Sequence, residues 1–553
     1  MVFSKLQELR YGYEPKMPQA LQAKPEEIKM IIGEPTDALQ DKDELKKLFK
    51  NSYGLPLVHF EKGKSETFNS KALKIGFILS GGQAPGGHNV ISGLFDSLKK
   101  ANSKSELIGF LGGPSGLVDG KYITLTKDKI DEYRNTGGFD MIGSGRTKIE
   151  TDEQVESSIK TVNQLSLDAI VIAGGDDSNT NAALLAEKFL NAGLKTKVIG
   201  IPKTIDNDLK GDLIETSFGF DTAAKTYSEV IGNICRDTNS AKKYWHFIRV
   251  MGRSASHIAL ECGLQTQANI CLIAEEVAEK NMTLKEVTNY IADIIEKRAK
   301  NGENFGVIIV PEGLIEFIPE VKKLIAELND VLALKKDDFA KRKTYTEQQV
   351  WLTENISKSA KKTFEDLPEE ISRQLLIDRD PHGNVQVSRI ETEKLLIATV
   401  KHELERRQKA GTYNGKFSSY AHFFGYEGRC AFPSNFDADY CYSLGVTAFF
   451  LIANGRTGYI AAIKNLSKPR TEWLAYGIPV TMLMNMERRS GKEKPVIKKS
   501  LVSLDDPAFK KLAEGRKTWE VTTSYIYPGA IQYFGPSELV DPPTKTVLLN
   551  AMG

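Results

Sequence analysis

An α/β protein with two doubly wound, mostly parallel-sheet domains and helical additions is what three features of this chain predict. From Lys74 onward, short runs rich in Ile and Val alternate with longer amphipathic stretches, as buried parallel strands alternate with crossover helices. Glycine, aspartate and lysine cluster directly after those runs, at the strand exits where open α/β sheets collect ligands. The 553 residues are also more than one core usually organises.

The elements follow in order. Residues 75–79 form the first strand, stopped by Ser80-Gly81-Gly82, and residues 88–100 set Val90, Ile91, Leu94, Phe95 and Leu98 at helical spacing. Residues 169–173 repeat the strand, with Ser178 or Asn179 as the expected cap of a helix carrying Ala182, Leu185, Ala186 and Phe189. Residues 198–201 are the next strand and deliver a loop from Lys203 to Asp208. Residues 245–251, 270–274 and 306–310 are three more, ending at Gly252-Arg253, Glu275-Glu276 and Pro311-Glu312-Gly313.

Two segments break the rhythm. Residues 1–72 are charged and weakly periodic, an N-terminal extension, and residues 317–412 read as inserted helices dense in Lys and Glu. The insertion closes at the loop signal Gly411-Thr412-Tyr413-Asn414-Gly415, after which residues 423–429 and 440–462 resume strand and helix patterns. One domain therefore spans 73–222, completed by part of 430–470, and the second spans 223–316 and 413–430. Residues 471–553 are a C-terminal extension packing on the core, with 525–528 expected near the insertion.

Composition excludes several partners. The 41% hydrophobic and 26% charged positions describe a globular protein, and Lys+Arg 74 against Asp+Glu 72 leaves a net charge of +2, so no global field favours nucleic acid or an anionic membrane. The five cysteines, Cys235, Cys262, Cys271, Cys430 and Cys441, are far apart and form no Cys-x-x-Cys pair, which argues for buried thiols in a reducing compartment. The first 24 residues lack a signal-peptide core, and the longest apolar run, 446–453, is too short to span a bilayer. A cytoplasmic location is expected.

The motifs assemble a phosphoryl-transfer toolkit. Ser80-Gly81-Gly82-Gln83-Ala84-Pro85-Gly86-Gly87 lies between a strand and a helix, where bare backbone amides and a helix N-terminus accept an anion; its spacing matches neither a dinucleotide loop nor a Walker loop. Asp176 and Asp177, in Gly174-Gly175-Asp176-Asp177-Ser178, are placed to ligate Mg²⁺ or to cap a helix. In Pro202-Lys203-Thr204-Ile205-Asp206-Asn207-Asp208, the acids at 206 and 208 can point to one side, one accepting a proton while the other orients it or the metal. Lys203 supplies a compact cation for charge building on phosphoryl oxygens. Gly143-Ser144-Gly145-Arg146-Thr147-Lys148 either closes over phosphate or is a solvated basic turn. Met251-Gly252-Arg253, Glu312 and Tyr426-Glu427-Gly428-Arg429 add arginines for a phosphate and carboxylates for sugar hydroxyls, while His257 reads as a packed histidine.

In this order and at these intervals, the motifs resemble the phosphofructokinase family across residues 73 to 460, and more narrowly its long, pyrophosphate-dependent branch. The resemblance implies a phosphofructokinase-like α/β fold and transfer of a phosphoryl group from pyrophosphate to the 1-hydroxyl of fructose 6-phosphate, reversibly and with Mg²⁺. It implies that Asp206 is the base, with Thr204 and Ile205 lining the same substrate, that Asp176 is the metal ligand, and that Gly82 touches the donor. Met251, Gly252, Arg253, Glu312, Tyr426, Glu427, Gly428 and Arg429 would hold the sugar phosphate. Lys243 and Tyr244 match a position that in some members reaches the sugar phosphate from a neighbouring subunit, so a homodimer is expected.

ATP-using relatives carry glycine where this chain has Asp177 and Lys203. Asp177 would crowd and repel a nucleotide α-phosphate, and Lys203, with Arg146, would serve the smaller donor. The loop departs from the commoner family pattern at Gln83 and Gly87-His88. The rival readings are an ATP-dependent enzyme, a non-catalytic regulatory subunit, which Asp176, Lys203, Asp206 and Asp208 disfavour, and another glycine-glycine-aspartate kinase acting on a nucleotide or lipid.

Overall fold

The apolar runs become the centres of two sheets. The computed structural model describes residues 10–65, 68, 70–377, 385–489, 492–531 and 536–552. The chain forms two units: Met1–Ala223, Tyr426–Ser500 and Ile531–Ala551 make the first, and Ala224–Gly425, Leu501–Ala530 and Met552–Gly553 the second.

In the first unit, nine described strands form one sheet: β1 (Ile28–Pro35), β2 (Pro56–Lys62), β3 (Lys74–Leu79), β4 (Glu106–Phe110), β5 (Tyr122–Thr124), β6 (Ala169–Gly174), β7 (Lys197–Pro202), β12 (Tyr459–Lys464) and β13 (Leu474–Pro479). The intervening numbers belong to the second unit. Their spatial order is β1-β2-β13-β12-β7-β6-β3-β4-β5. The pairings from β12 through β7, β6 and β3 to β4 are parallel. The margins are antiparallel: β4 with β5, and β12, β13, β2 and β1 in succession. The expectation of a mostly parallel sheet thus holds for the centre only. Every residue of β6 is buried, as helices on both faces require, whereas the burial of β1 alternates and then fades. Residues 28–62 are therefore part of this sheet rather than an appendage. Tyr13 ties the stretch before residues 28–62 inward, its hydroxyl donating to Asp439 at 2.9 Å while Arg470 Nε reaches the other oxygen at 3.0 Å.

The chain runs from β3 to β4 on one side and returns to β6 on the other, so the order reverses between β3 and β6, which opens a crevice at their carboxyl ends. Helix Gly87–Ala101 follows β3 and crosses helix Asn435–Ala453 at backbone contact: a Cβ at Gly445 would lie 2.1 Å from Val90 O, and one at Gly93 2.2 Å from Tyr442 O. Small residues there let the helix that follows β3 sit deep in the fold.

The second unit holds β8 (Tyr244–Val250), β9 (Ile270–Cys271), β10 (Phe305–Pro311) and β11 (Ser419–Phe424) in the order β11-β8-β10-β9, all parallel. The strand expected over 270–274 is shorter, because the chain turns into helix Ala274–Glu279 after one further hydrogen bond from Leu272 N to Ile309 O. Helices from the 317–412 insertion share one apolar core with this sheet: Phe247, Ile308 and Val310 cluster with Leu324, Leu328, Phe364, Leu375, Leu396 and Val400. A buried ion pair, Arg249 Nε to Glu393 Oε2 at 2.6 Å, pins helix Thr392–Lys409 to β8. Residues 525–528, expected near the insertion, are held by other parts of the second unit. The Tyr525 hydroxyl donates to Asn269 at 2.5 Å, Ile526 N–H to Thr266 O, and Tyr527 lies under Arg236. A hairpin of β14 (Met484–Arg489) and β15 (Lys492–Ile497) completes the described strands and belongs to the first unit. No described helix is long and apolar enough to cross a membrane. Cys235, Cys262, Cys271 and Cys441 are buried, but Cys430 is exposed, against the expectation of five buried thiols.

Candidate active site

Strand β3 ends in a loop stripped of side chains and surrounded by cations. Ser80 N–H bonds Ala173 O, Gly81 N–H bonds Gly145 O at 2.9 Å, and Gly81 adopts φ +85°, which only glycine takes without strain. A Cβ at Gly82 would lie 3.2 Å from Arg429 Nη1 and 3.6 Å from Arg146 Nη2, and one at Gly81 3.1 Å from Lys203 Nζ. Three cationic side chains thus converge on one two-glycine stretch of backbone. Arg146 arrives there because its loop lies against Gly112 and Gly113; a Cβ at Gly145 would sit 2.2 Å from Gly112 O. Arg429 Nε is buried and has no hydrogen-bond partner among the described residues, the condition of a donor left for an anion.

His88, just inside the following helix, explains the departure from the common family loop. It is fully buried, and burial pushes its pKa down to about 3, so it is neutral. Nε2 accepts from Met141 N–H at 3.2 Å, leaving Nδ1–H to donate to Thr136 Oγ1 at 2.8 Å. This holds residues 136–141 in place, including Phe139, whose ring lies 5.8 Å from Lys203 Nζ.

The loop after β7 is stapled on both sides. Lys203 N–H bonds Gly174 O at 2.9 Å, and Asn207, in the left-handed region at φ +56°, accepts through Oδ1 from Ser217 N–H at 3.0 Å and Thr216 Oγ1 at 3.1 Å. Ser500 N–H donates to Asp208 O at 2.8 Å. Thr204 Oγ1 accepts the amide of Asp206 at 3.1 Å, which turns the chain so that Asp206 is half-buried beside a buried Asp208. Lys203 is buried, and burial with Arg429 lowers its pKa to about 8, against the raising effect of Asp206 and Asp208. Burial and the adjacent Asp206 charge raise the pKa of Asp208. The Ile205 side chain is buried, facing the Gly219 position, so it can line a substrate only through its backbone.

Asp176 and Asp177 open helix Asp176–Asn191. The expected caps, Ser178 and Asn179, lie inside the helix. Ser178 Oγ donates to Ser80 Oγ at 2.8 Å, and Asn179 Nδ2 donates to Gly174 O, Gly175 O and Ile201 O, locking the exits of three strands together. Asp176 is largely buried and its pKa is raised by that burial. Asp177 is half-exposed and paired with Lys148 at 3.1 Å, so its charge is partly answered within the protein. Lys499, from the segment after β15, sits 3.9 Å from Asp176 Oδ2 and 3.7 Å from Asp208 Oδ2.

In the second unit, the parallel strands β8 and β10 deliver Met251-Gly252-Arg253 and Glu312 to one end of their sheet. Gly252 N–H donates to Glu312 Oε2 at 3.2 Å, and a Cβ at Gly313 would lie 1.9 Å from Arg253 O, so these turns fit only as glycine permits. Arg253 is exposed enough to meet a ligand and sits 3.5 Å from Glu316. Lys243 and Tyr244 lie at the opposite end of β8, about 20 Å away at the rise of an extended strand. Within one copy, they do not join Arg253. Tyr426 and Glu427 are exposed, at the start of the short helix Tyr426–Arg429.

The family profile described as Phosphofructokinase matches residues 74–452, more than half of the chain. The chain belongs to the phosphofructokinase family. Among its relatives, the pyrophosphate--fructose 6-phosphate 1-phosphotransferase of Treponema pallidum is 56% identical over 100% of this chain and 97% of its own length, and that of Porphyromonas gingivalis is 54% identical over 100% and 99%. A solved structure, the pyrophosphate-dependent phosphofructokinase from Marinobacter aquaeolei, superposes with a TM-score of 0.52 at 16% identity, covering 82% of this chain and 93% of that one, and so supports the fold alone.

For a phosphofructokinase, the arrangement is informative in what it gathers. Gly82, Arg146, Lys203, Asp206 and Asp208 come together as one group with Asp176 beside them. Arg429, read from the sequence as a sugar-phosphate residue, has its guanidinium at the donor loop. Sequence reasoning missed Lys499, Phe139 and the structural part of His88. Lys498-Lys499 directly follows β15, a hairpin strand that the sequence reading did not assign, and no spacing rule connects it to Asp176.

Proposed function

We infer that this chain transfers a phosphoryl group from pyrophosphate to the 1-hydroxyl of fructose 6-phosphate, releasing inorganic phosphate and fructose 1,6-bisphosphate in glycolytic metabolism. The observation that carries the reading is the convergence of Lys203, Arg146 and Arg429 on the bare Gly81-Gly82 backbone, beside Asp206 and Asp208. A diphosphate is a small, dense anion, and three cations around a glycine stretch without side chains match it.

Asp206 takes the proton from the sugar hydroxyl as its oxygen forms the new bond to phosphorus, while the bridging bond of the diphosphate breaks and the electron pair leaves on phosphate. Thr204 holds the base's backbone, and Lys203 with the two arginines meets charge on the equatorial and leaving oxygens. Asp176 is the residue that would hold a magnesium ion, whose charge would screen the diphosphate. The donor set, a largely buried Asp176 carboxylate with that of Asp208 nearby, fits a hard cation that takes its remaining ligands from water and substrate.

Asp177 fills the position where nucleotide-using relatives are expected to have glycine, and this favours pyrophosphate over ATP. Met251, Gly252, Arg253 and Glu312 would hold the sugar phosphate, and Tyr426, Glu427 and Gly428 are assigned to the same ligand. Lys243 and Tyr244 would serve a sugar bound to a second copy, which makes a homodimer the working form and accounts for their position at the far end of β8. A cytoplasmic setting follows from the unpaired thiols. Phosphorylation of fructose 6-phosphate measured side by side with pyrophosphate and with ATP tests the reading; ATP supporting the faster turnover would sink it.

A further inference from the structure

The segment that follows the β14–β15 hairpin is held to the site at two points. Ile497 N–H donates to Thr180 Oγ1 at 3.0 Å, on the helix that begins with Asp176, and Ser500 N–H donates to the carbonyl of Asp208 at 2.8 Å. Lys499 lies between these anchors, so its backbone is fixed against the two elements whose carboxylates it faces. Its ammonium is 3.9 Å from Asp176 Oδ2 and 3.7 Å from Asp208 Oδ2, near both and hydrogen-bonded to neither at those distances. The side chains of Asp176 and Asp208 are only 16% and 7% exposed, whereas that of Lys499 is 37% exposed. Two desolvated acids thus face one shared cation on a long stem.

We propose that Lys499 is a further donor-binding residue, an ammonium that balances Asp176 and Asp208 before loading and turns onto the diphosphate oxygens when the magnesium diphosphate arrives. This rests on the reading that Asp176 holds the metal. A divalent cation at Asp176 repels the ammonium from its resting place, and the arriving diphosphate supplies acceptors of higher charge density within the sweep of the same side chain. Lys499 therefore acts with opposite sign on two ligands. It competes with magnesium alone and assists the diphosphate, as well as the phosphate that replaces it in the reverse direction. A lysine that merely held the fold together would weaken both.

The test compares Lys499→Met and Lys499→Arg with the unaltered full-length chain, using calorimetric titration of magnesium chloride without diphosphate or sugar, and the KM values for pyrophosphate, phosphate and fructose 6-phosphate. Lys499→Met is expected to bind magnesium alone several-fold more tightly. Its KM for pyrophosphate should rise about tenfold, the loss of one charge-assisted contact, with a parallel rise for phosphate and none for fructose 6-phosphate. Lys499→Arg should recover most of the pyrophosphate KM. Magnesium and pyrophosphate binding that weaken together, or that both stay unmoved, overturn the proposal. Asp176→Asn, run alongside, separates the failures. If it loses magnesium binding while Lys499→Met changes nothing, Lys499 alone is refuted; if it retains magnesium binding, the assignment of Asp176 falls and the proposal with it.

Discussion

The first unit concentrates its charge where chemistry would happen, and the second spends its most buried charge on holding itself together. In the first, Lys203, Arg146 and Arg429 crowd one glycine stretch, and Asp176 and Asp208 share Lys499; their like-charge tension is answered only in part within the protein. In the second, Arg249 and Glu393 are nearly sealed from solvent and oppose each other's charge at 2.6 Å, and Arg298, also buried, is consumed by Phe305 O, Thr522 O, Thr523 and Glu303. An unbalanced cluster stores affinity for an arriving ion. A balanced one fixes a scaffold.

Two substitutions separate the two uses of charge most sharply. Asp206→Asn should lower kcat by about a thousandfold, the upper-middle range for removing a general base, while leaving the melting temperature close to that of the parent. Arg249→Met should do the reverse. With Glu393 left buried and unpaired beside the sheet, stability should fall by about 3–5 kcal/mol, read by urea unfolding, with kcat of the folded fraction intact. If Asp206→Asn melts early or Arg249→Met loses turnover without unfolding, the division between the units is false.

The same division governs what could be read from the sequence. Strands β3, β6, β7 and β10 were legible because they are short runs, apolar after at most one leading lysine and buried on both faces, and Lys203, Asp206 and Asp208 were legible because they stand directly after such a run. β1 and β2 were not. They are the edge strand and its neighbour, with lysines and glutamates at exposed positions, and nothing local distinguishes that pattern from an extended tail. The misplaced helix cap has a similar cause: Asn179 satisfies carbonyls at the ends of neighbouring strands, a tertiary demand that outweighs its capping preference. Lys499 was invisible because its meaning depends on a fold-back from a hairpin far along the chain. The insertion's role was hidden too, since its Lys- and Glu-rich surface masks the apolar face that completes the second core.

A smaller effect sharpens the donor side of the comparison. Asp177 and Lys148 are both partly exposed, so their pair should contribute at most about 1 kcal/mol to stability, and removing Asp177 mainly releases Lys148. Asp177→Gly combined with Lys203→Gly should therefore leave the fold in place, reduce kcat/KM for pyrophosphate by about tenfold or more, and admit measurable turnover with ATP, whose phosphates gain both space and a freed cation. Unaltered donor preference would show that neither side chain selects the donor.

The smallest predicted effect tests whether the crowding itself matters. Burial and the neighbouring Arg429 bring the Lys203 pKa down to about 8, so in the free enzyme the ammonium is charged below that pH and is lost as the pH rises through it. Since kcat/KM reports the free enzyme, its value for pyrophosphate should decline above pH 8, by up to tenfold per unit, beyond the decline due to ionisation of the donor itself. Lys203→Arg keeps the charge without titrating, so its profile should stay flat where that of the parent falls, even if its peak activity is lower. Profiles that decline alike would mean that Lys203 is not the titrating cation. The like-charge crowding at Gly81-Gly82 would then be relieved by some other route, and the contrast with the oppositely paired charges of the second unit would lose its physical basis.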